Sequence, residues 1–341
     1  MIRCLQHKDK RMKFKQNIKS GAAVLLALLT FGCGQSPEQS ADPLVIGYSD
    51  WPGWVAWQVG IEKGWFEEAG VPVTFEWFDY VESMDAFAAG QIDAVAMTNG
   101  DALVTGEAGG PSRAILINDF SNGNDMLVAA PGIDSVPELA GKRVGVEVGY
   151  VCHLLLLKAL EANGMTEADV TLINIPTHDL PQAFAAGDVD AVVAWQPNSS
   201  QALEAVPGST AIFTSADVPG LIYDVLAVSP SSLSERTEDW ETVVKVWYRI
   251  VDYILDEETR DDAVRIMSAR VGLSPEAYAA FLDGTKILTL EEAKAAFQVS
   301  DELTSIYGSS AIADAFNVAN GVYDTPQNVA EYIHPDITLG L

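Results

Sequence analysis

Carboxylate and indole side chains recur in short polar segments that follow apolar runs of the chain. These segments contain no lysine or arginine. Carboxylates bind cations through charge-assisted hydrogen bonds, and the electron-rich face of an indole also attracts a cation. The predicted ligand-binding set consists of Asp50, Trp51, Trp54, Asp79, Asn99, Asp101, Asp119, Glu147, Tyr150, Trp195, Gln196 and Asp224. The set favours a small cation, or an amidine-like or urea-like nitrogen compound, as the bound molecule.

Several members of this set have a second interpretation. Asp50 and Asp101 each precede a helical pattern, where aspartate is a favoured N-cap. Trp51 and Trp54 would bury most of their area if they packed between structural elements. The intervening Pro52-Gly53 marks a turn, where an apolar ring is poorly hidden, and therefore favours contact with a ligand. An anion such as an alkanesulfonate, nitrate or bicarbonate stays open as an alternative, although helix N-termini without basic residues would have to bind it.

The residues required for catalysis or metal binding are sparse. Cys152 is the one cysteine after residue 33, and it lies in an apolar run typical of a buried thiol. His153 and His178 are expected to be packing or surface residues. No spacing of histidine, aspartate and glutamate matches a metal site. We therefore predict a protein that is not an enzyme and that has no catalytic residue, no metal and no cofactor.

An internal duplication indicates which elements position the polar segments. Residues 86–95 recur as residues 183–192 at an offset of 97, and residues 73–97 match residues 170–194 at ten of 25 positions without a gap. Gly90 and Gly187 end the helix of each copy, where a left-handed C-cap favours glycine. Repetition of this kind predicts two similar structural units.

Each unit is predicted to be β-α-β-α-β with parallel strands and right-handed crossovers. The first unit comprises Leu44–Tyr48, Val55–Gly70, Val73–Phe78, Ser83–Ala89 and Ala94–Met97. The second comprises Arg143–Val148, Val151–Asn163, Val170–Ile175, Leu180–Ala186 and Ala191–Ala194. Ligands of parallel sheets bind beyond the carboxyl ends of the strands. The polar segments follow those ends, so we expect them to face a shared cleft between two α/β lobes.

The division into lobes follows from the segments that join the two units. Two strands between the units and one strand after them are predicted to cross from one lobe to the other, and the chain beyond residue 237 is mainly helical. The first lobe is assigned to residues 43–119, the second to residues 120–222, and the return crossover with the C-terminal helices to residues 223–341. The C-terminal helices are expected to pack mainly on the first lobe.

The beginning of the chain resembles an export signal. A basic stretch at residues 12–19 is followed by an apolar run at residues 21–29, a combination typical of a secretory signal. We predict a signal peptide at residues 1–32, lipidation of Cys33 and a tether at residues 33–42. These features predict a periplasmic protein or one anchored at the outer face of the cytoplasmic membrane.

The charge limits the partners. Residues 33–341 contain 13 basic and 47 acidic residues, a net charge of −34. Such a surface repels nucleic acid and anionic lipid. The expected partners are a small-molecule ligand and a membrane permease, and the chain is expected to be a monomer.

Three segments resemble one family of transport proteins. Glu62–Gly70, Ala89–Ala94 and Leu139–Val146 resemble motifs of the nitrate/sulfonate/taurine-type ABC transporter substrate-binding proteins. The resemblance implies the two-lobed, type II periplasmic-binding-protein fold, with helices on both faces of each sheet and two crossover strands. It also implies delivery of a captured solute to an ABC permease.

Two further points concern the ligand. Tyr48–Trp54 and Thr98–Asp101 resemble the branch of this family that is associated with urea or guanidine carboxylase systems. The same fold also serves thiamine-pyrimidine-precursor proteins, so an enzyme of that class is a second alternative.

Overall fold

The computed structural model describes residues 42–341, which form two β-sheets with helices packed around them. The strands, in chain order, are β1 (Leu44–Tyr48), β2 (Val73–Trp77), β3 (Ala94–Thr98), β4 (Arg113–Ser121), β5 (Met126–Ala129), β6 (Arg143–Val146), β7 (Thr171–Asn174), β8 (Ala191–Ala194), β9 (Thr210–Thr214), β10 (Tyr223–Val228) and β11 (Thr285–Ile287).

Short helices dominate the first half of the described chain and longer helices the C-terminal part. They are α1 (Pro52–Val55), α2 (Trp57–Glu62), α3 (Trp65–Glu68), α4 (Tyr80–Ala88), α5 (Asn99–Glu107), α6 (Val151–Ala162), α7 (Leu180–Ala186), α8 (Asn198–Ala205), α9 (Pro230–Glu235), α10 (Thr237–Leu255), α11 (Arg260–Arg270), α12 (Pro275–Asp283), α13 (Leu290–Ala296), α14 (Ile306–Ala319) and α15 (Asp336–Leu339). The single helix predicted over Val55–Gly70 is wrong, because Gly64 adopts a φ of +69° and separates α2 from α3.

The two sheets confirm the predicted two-lobed α/β fold. The first lobe is built on a sheet of order β11-β4-β10-β3-β1-β2, and the second on a sheet of order β7-β6-β8-β5-β9. In each lobe the two strands of the first βαβ unit pair in parallel, β1 with β2 and β6 with β7. The chain passes from β4 in the first sheet to β5 in the second, and returns from β9 to β10. The exact lobe boundaries at residues 119 and 222 stay a prediction.

The duplicated sequence makes the same local contacts in both lobes. Asp93 Oδ2 accepts a hydrogen bond of 2.9 Å from the backbone amide of Val45, which lies in β1. Asp190 Oδ2 accepts the equivalent bond of 2.9 Å from the amide of Arg143, which begins β6. Each aspartate follows a helix that ends near a left-handed glycine. The repeat therefore ties the last strand of each unit to its first strand.

Burial follows from this topology. The central strands β3, β8 and β10 are buried along their whole length, as is expected for strands covered on both faces. In the C-terminal part, α10 contacts α2, α14 contacts α5, and α15 contacts β4. These contacts hold the tail of the chain against elements of the first lobe.

The predictions for the beginning of the chain cannot be placed on this fold. The signal peptide at residues 1–32, the lipidated Cys33 and residues 33–41 of the tether lie outside the described residues. Within residues 42–341 no helix is both long and apolar enough to cross a bilayer.

Candidate functional site

A cavity of about 270 Å³ opens between the two lobes at the carboxyl ends of their strands. The first lobe contributes Asp50, Asp79 and Glu82 to its wall, and the second contributes Glu147, His178 and Trp195. We call this cavity the vestibule. It lies where ligands of parallel sheets are expected to bind.

A smaller space of about 10 Å³ lies next to the vestibule and is called the inner chamber. It is lined by residues that include Trp51, Trp54, Asp125 and Asp224. Tyr80 and Trp195 line both spaces, and their rings contact each other edge to face with centroids 5.2 Å apart. Because Tyr80 belongs to the first lobe and Trp195 to the second, this contact spans the cleft.

Strand register brings acidic residues together beside the inner chamber. β10 pairs with β3 on one side and with β4 on the other, so Asp224 lies opposite both Thr98 and Asp119. Asp101 lies in the first turn of α5, where the Thr98 hydroxyl accepts a hydrogen bond from its amide. Side chains directly opposite each other in antiparallel strands are close enough to interact. The edge of the sheet therefore concentrates carboxylates from three different elements.

Three hydrogen bonds fix the orientation of these groups. The Trp51 indole donates to Asp119 Oδ1 at 3.0 Å. The Tyr80 hydroxyl donates to Asp101 Oδ2 at 2.7 Å and accepts from the backbone amide of Thr98 at 3.0 Å. Tyr80 also stacks on Trp54, with ring centroids 5.1 Å apart. The aromatic side chains thus lie between the acidic side chains and the vestibule, and their hydrogen bonds fix the orientation of Asp101 and Asp119.

Other polar atoms of the site have no hydrogen-bond partner among the described residues. They include the indole nitrogen of Trp54, the indole nitrogen of Trp195, which lies near the Asp50 carboxyl, and Oδ2 of Asp119 and Oδ2 of Asp224, which become partners of each other when one of the two carboxyls carries a proton. All four residues are at most 5% exposed. A buried polar atom without a partner costs free energy, so such atoms are the groups expected to contact a bound molecule.

Burial dominates the electrostatics of the site. It raises the pKa values of Asp101, Asp119 and Asp125 to about 7, and that of Asp50 to about 6. Burial also raises the pKa of Asp224 well above its usual range, and the neighbouring carboxyls add to the shift. Among the described residues that line the vestibule and the inner chamber there is no lysine or arginine. The carboxyls consequently have no basic side chain beside them to offset the loss of solvation.

The predicted site residues fall into three groups. Asp50, Trp51, Trp54, Asp79, Glu147, Trp195 and Asp224 line the vestibule or the inner chamber. Asn99, Asp101 and Tyr150 line a further small pocket, and Asp119 joins the set through its bond to Trp51. Gln196 lines none of these three spaces, and its amide donates to Ser200 Oγ at 2.7 Å.

Asn99 has a structural task although it lies near the pocket. Its amide nitrogen donates to the hydroxyls of Ser309 and Ser310, and its oxygen accepts from the amide of Tyr223. These bonds tie α5 to α14 and to the start of β10. These bonds occupy most of the hydrogen-bonding capacity of Asn99, and its contact with a ligand stays a prediction.

Several residues that line the site are missing from the predicted set, among them Glu82, His178, Tyr80 and Asp125. Tyr80 lies directly after Asp79, at the start of α4, and Asp125 lies between the crossover strand β4 and β5. Tyr80 and Asp125 follow strand ends, which is the signal that could have identified them. Across residues 42–341, no group of three or more histidine, cysteine, aspartate or glutamate residues is placed to hold a metal ion.

Comparison with known proteins places the fold among solute-binding proteins. A family model described as NMT1-like family matches residues 37–268. A putative binding protein of Brucella abortus is 29% identical over 177 residues, 51% of this chain and 54% of the relative, so the chain spans about half the length of that relative. A putative aliphatic sulfonates-binding protein of Bacillus subtilis is 28% identical over 279 residues, 74% of this chain and 78% of the relative.

A solved structure gives the same result for the fold. The crystal structure of the periplasmic aliphatic sulphonate binding protein SsuA from Escherichia coli superposes with a TM-score of 0.70 at 18% sequence identity. The match covers 86% of this chain and 92% of the other. At this identity the likeness concerns the two-lobed fold alone.

Proposed function

Because this chain belongs to the NMT1-like family, we propose that it is the solute-binding protein of an ABC importer and holds a small molecule between its lobes. The observation that carries this proposal is the vestibule, whose wall is supplied by both sheets. A molecule that contacts both walls stabilises the closed arrangement of the lobes, and a permease can recognise that arrangement.

One candidate class of ligand is an anion, such as an alkanesulfonate, nitrate or bicarbonate. The relatives in Bacillus subtilis and Escherichia coli are named for aliphatic sulfonates. These names favour the anion alternative over the cation that the sequence analysis prefers. The urea and guanidine branch receives no support from the relatives described above and stays a hypothesis.

The second candidate class is a small cation, and the local chemistry favours it. The vestibule wall contains Asp50, Asp79, Glu82 and Glu147. Among the described residues that line the vestibule, His178 is the one basic side chain beside them. A bound anion would have to overcome repulsion from these carboxylates, whereas a cation would be attracted by them.

A thermal-shift screen distinguishes the two classes. Purified protein would be heated with taurine, methanesulfonate, nitrate or bicarbonate, and in parallel with guanidinium, acetamidinium, methylammonium or urea. A ligand that binds the folded state raises the melting temperature by mass action. Glu147→Gln should reduce the shift for a cation and increase it for an anion, because it removes one negative charge from the vestibule. If no probe raised the melting temperature, the proposed binding function would be contradicted.

The alternative of a pyrimidine-precursor enzyme is not favoured. The relatives described above are named as binding proteins, in agreement with the prediction that the chain is not an enzyme. Turnover can be tested directly by incubating the protein with a compound that raises its melting temperature. We expect the compound to be recovered chemically unchanged.

The cellular location follows from the same role. We propose that the protein works outside the cytoplasmic membrane as a monomer, anchored through lipid on Cys33. Cells that express the full chain and are fed a radiolabelled fatty acid should label the protein, and Cys33→Ser should remain unlabelled. Labelling of both proteins, or of neither, would contradict the anchor.

A further inference from the structure

A second cavity lies outside the cleft, on the first lobe alone. It is an open groove of about 440 Å³, and its wall comes from β1, β2, α2, α3 and the end of α11. We call it the outer groove. Its lining residues include Tyr48, Gln58, Phe75 and Arg270, and it shares no lining residue with the vestibule. The outer groove is therefore separate from the proposed solute site.

The break between α2 and α3 borders this groove. Gly64 lines it with a φ of +69°, and a Cβ added there would meet no atom within 4 Å. On the opposite wall, β2 is the last strand of its sheet, and its residues Val73 and Phe75 are half-buried. Ligand pockets are typically concave surfaces of this kind, with apolar walls and a few polar groups that fix orientation.

A chain of hydrogen bonds fixes one arginine at the groove. Arg270 Nε donates to the Tyr48 hydroxyl at 3.0 Å, and that hydroxyl donates to Oε1 of Gln58 at 3.2 Å. The guanidinium carbon lies 4.1 Å from the ring centroid of Trp77. Because Tyr48 is only 2% exposed, the acceptor that orients the arginine is itself held by the core. Stacking and hydrogen bonding together orient the guanidinium plane.

The two terminal nitrogens of Arg270 form no hydrogen bond and no ion pair with any residue in the range 42–341. Arg249 offers a comparison within the same lobe. Its guanidinium carbon lies 4.2 Å from the ring centroid of Trp65, and its Nη1 donates to Oε2 of Glu68 at 3.0 Å. Arg270 thus has the aromatic partner of such an arrangement without the carboxylate partner.

We propose that the outer groove is an accessory binding site for a small organic carboxylate that carries an apolar ring. The carboxylate accepts two parallel hydrogen bonds from the terminal nitrogens of Arg270, a geometry that suits the guanidinium fork. The ring packs against Ile61, Val73 and Phe75, which line the groove. All of these residues belong to the first lobe, so the site goes beyond the proposed function and does not depend on closure of the cleft.

The negative charge of the chain does not prevent this binding. Glu67 lines the groove and repels an anion, but it is exposed on α3, where solvent and salt weaken the repulsion. At physiological ionic strength, exposed charges farther away than about 8 Å are largely screened. The guanidinium of Arg270 acts at hydrogen-bonding distance, so its attraction is screened much less.

Ligand-observed NMR measures the proposed binding. Benzoate would be titrated into the purified protein at about pH 7 and about 0.15 M salt. An exposed ion pair contributes little free energy, so we expect a Kd on the order of 1 mM. Acetate lacks the ring and benzyl alcohol lacks the carboxylate. Each should bind at least about tenfold more weakly than benzoate.

Substitutions locate the bound carboxylate. Arg270→Gln should weaken benzoate binding at least about tenfold, and Arg270→Lys at least about threefold, because a single ammonium cannot form two parallel bonds. Arg249→Gln is the matched control and should leave binding unchanged, since that arginine is already paired. Arg270 contacts Trp77, which also lines the vestibule, whereas Glu67 lines the groove and not the vestibule. Glu67→Gln should therefore strengthen benzoate binding about two- to threefold.

The outcomes are separable. Absence of benzoate binding, or equal affinity in Arg270→Gln, would overturn the accessory site, and so would a similar loss in Arg249→Gln. Unchanged affinity in Glu67→Gln would place benzoate elsewhere, and this exposed variant decides the question if Arg270→Gln fails to fold in melting curves. Acetate binding as tight as that of benzoate would overturn the role of the ring. The thermal-shift screen of the cleft ligands tests the proposed function independently, so either proposal can fail while the other stands.

Discussion

Raising the pH should destabilise the ligand-free protein, because its buried carboxyls retain protons in the folded state. Burial raises the pKa values of Asp101, Asp119 and Asp125 from 3.8 to about 7. Between these two values the folded chain binds more protons than the unfolded chain, so stability falls as pH rises. The contribution is fully present below about pH 4 and is lost once the pH exceeds about 7.

The size of the effect follows from the pKa shifts. One pKa unit corresponds to about 1.4 kcal/mol. A carboxyl that titrates at about 7 when folded therefore loses about 2 kcal/mol of stability between about pH 5.5 and about pH 8. Neighbouring groups titrate jointly, so the total for the three carboxyls should lie between about 2 and about 6 kcal/mol. His153 acts in the opposite direction, because burial lowers its pKa.

Urea denaturation at about pH 5.5 and at about pH 8 measures this difference. The free energy of unfolding of the ligand-free protein should be lower at the higher pH. Asp119→Asn should reduce the difference by about 2 kcal/mol or more, since asparagine has no proton to lose and a neutral side chain repels Asp224 less. His153 is unchanged in this variant, so its contribution cancels in the comparison.

The reasoning would be refuted by an unfolding free energy that is equal at the two pH values or larger at about pH 8. It would also be refuted if Asp119→Asn showed the same pH dependence as the wild-type chain. Either result would mean that Asp101, Asp119 and Asp125 are ionised and solvated in the folded protein.

Three substitutions test other contacts of the site and the fold. Gly53→Ala should abolish ligand binding, because the added Cβ would overlap the carboxylate of Asp119. Calorimetry measures the loss, and an unchanged affinity would contradict the close approach of Asp119 to Gly53. Tyr80→Phe removes the bond to Asp101 and should cost about 1–3 kcal/mol of stability in urea denaturation, whereas an unchanged midpoint would show that this bond contributes nothing. Asp190→Ala removes the acceptor for the backbone amide of Arg143, which begins β6, and should lower the free energy of unfolding by about 1 kcal/mol without affecting ligand affinity. A loss of affinity would show that the cleft depends on this hydrogen bond.

The fold could be predicted from the sequence because the patterns that indicate it lie within short segments. The duplicated segments show where each β-α-β-α-β unit begins and ends, and Gly90 and Gly187 do adopt the left-handed conformation expected at the helix ends. The order of strands also located the cleft, since parallel strands place the residues that follow them at one edge. The interruption of the helix after Glu62 escaped prediction, because its apolar pattern continues across Gly64.

For the ligand site, the sequence predicted only which positions follow strand ends. Neither the hydrogen-bonding of Asn99 by Ser309 and Ser310 nor the bond of Gln196 to Ser200 can be read from the segments that contain these amides. Both amides follow strand ends and satisfy the same pattern as the cleft residues. Their partners depend on how the tail and the neighbouring helix pack.

By itself, the sequence determined the two α/β units and the acidic, aromatic character of the loops, since these properties belong to contiguous residues. The tertiary structure alone decided which carboxyls share one interior. Asp119 and Asp224 are 105 residues apart, and they meet because β4 and β10 pair in a particular register. The pKa of a carboxyl depends on the solvent it has lost and the charges nearby, and both are consequences of that pairing.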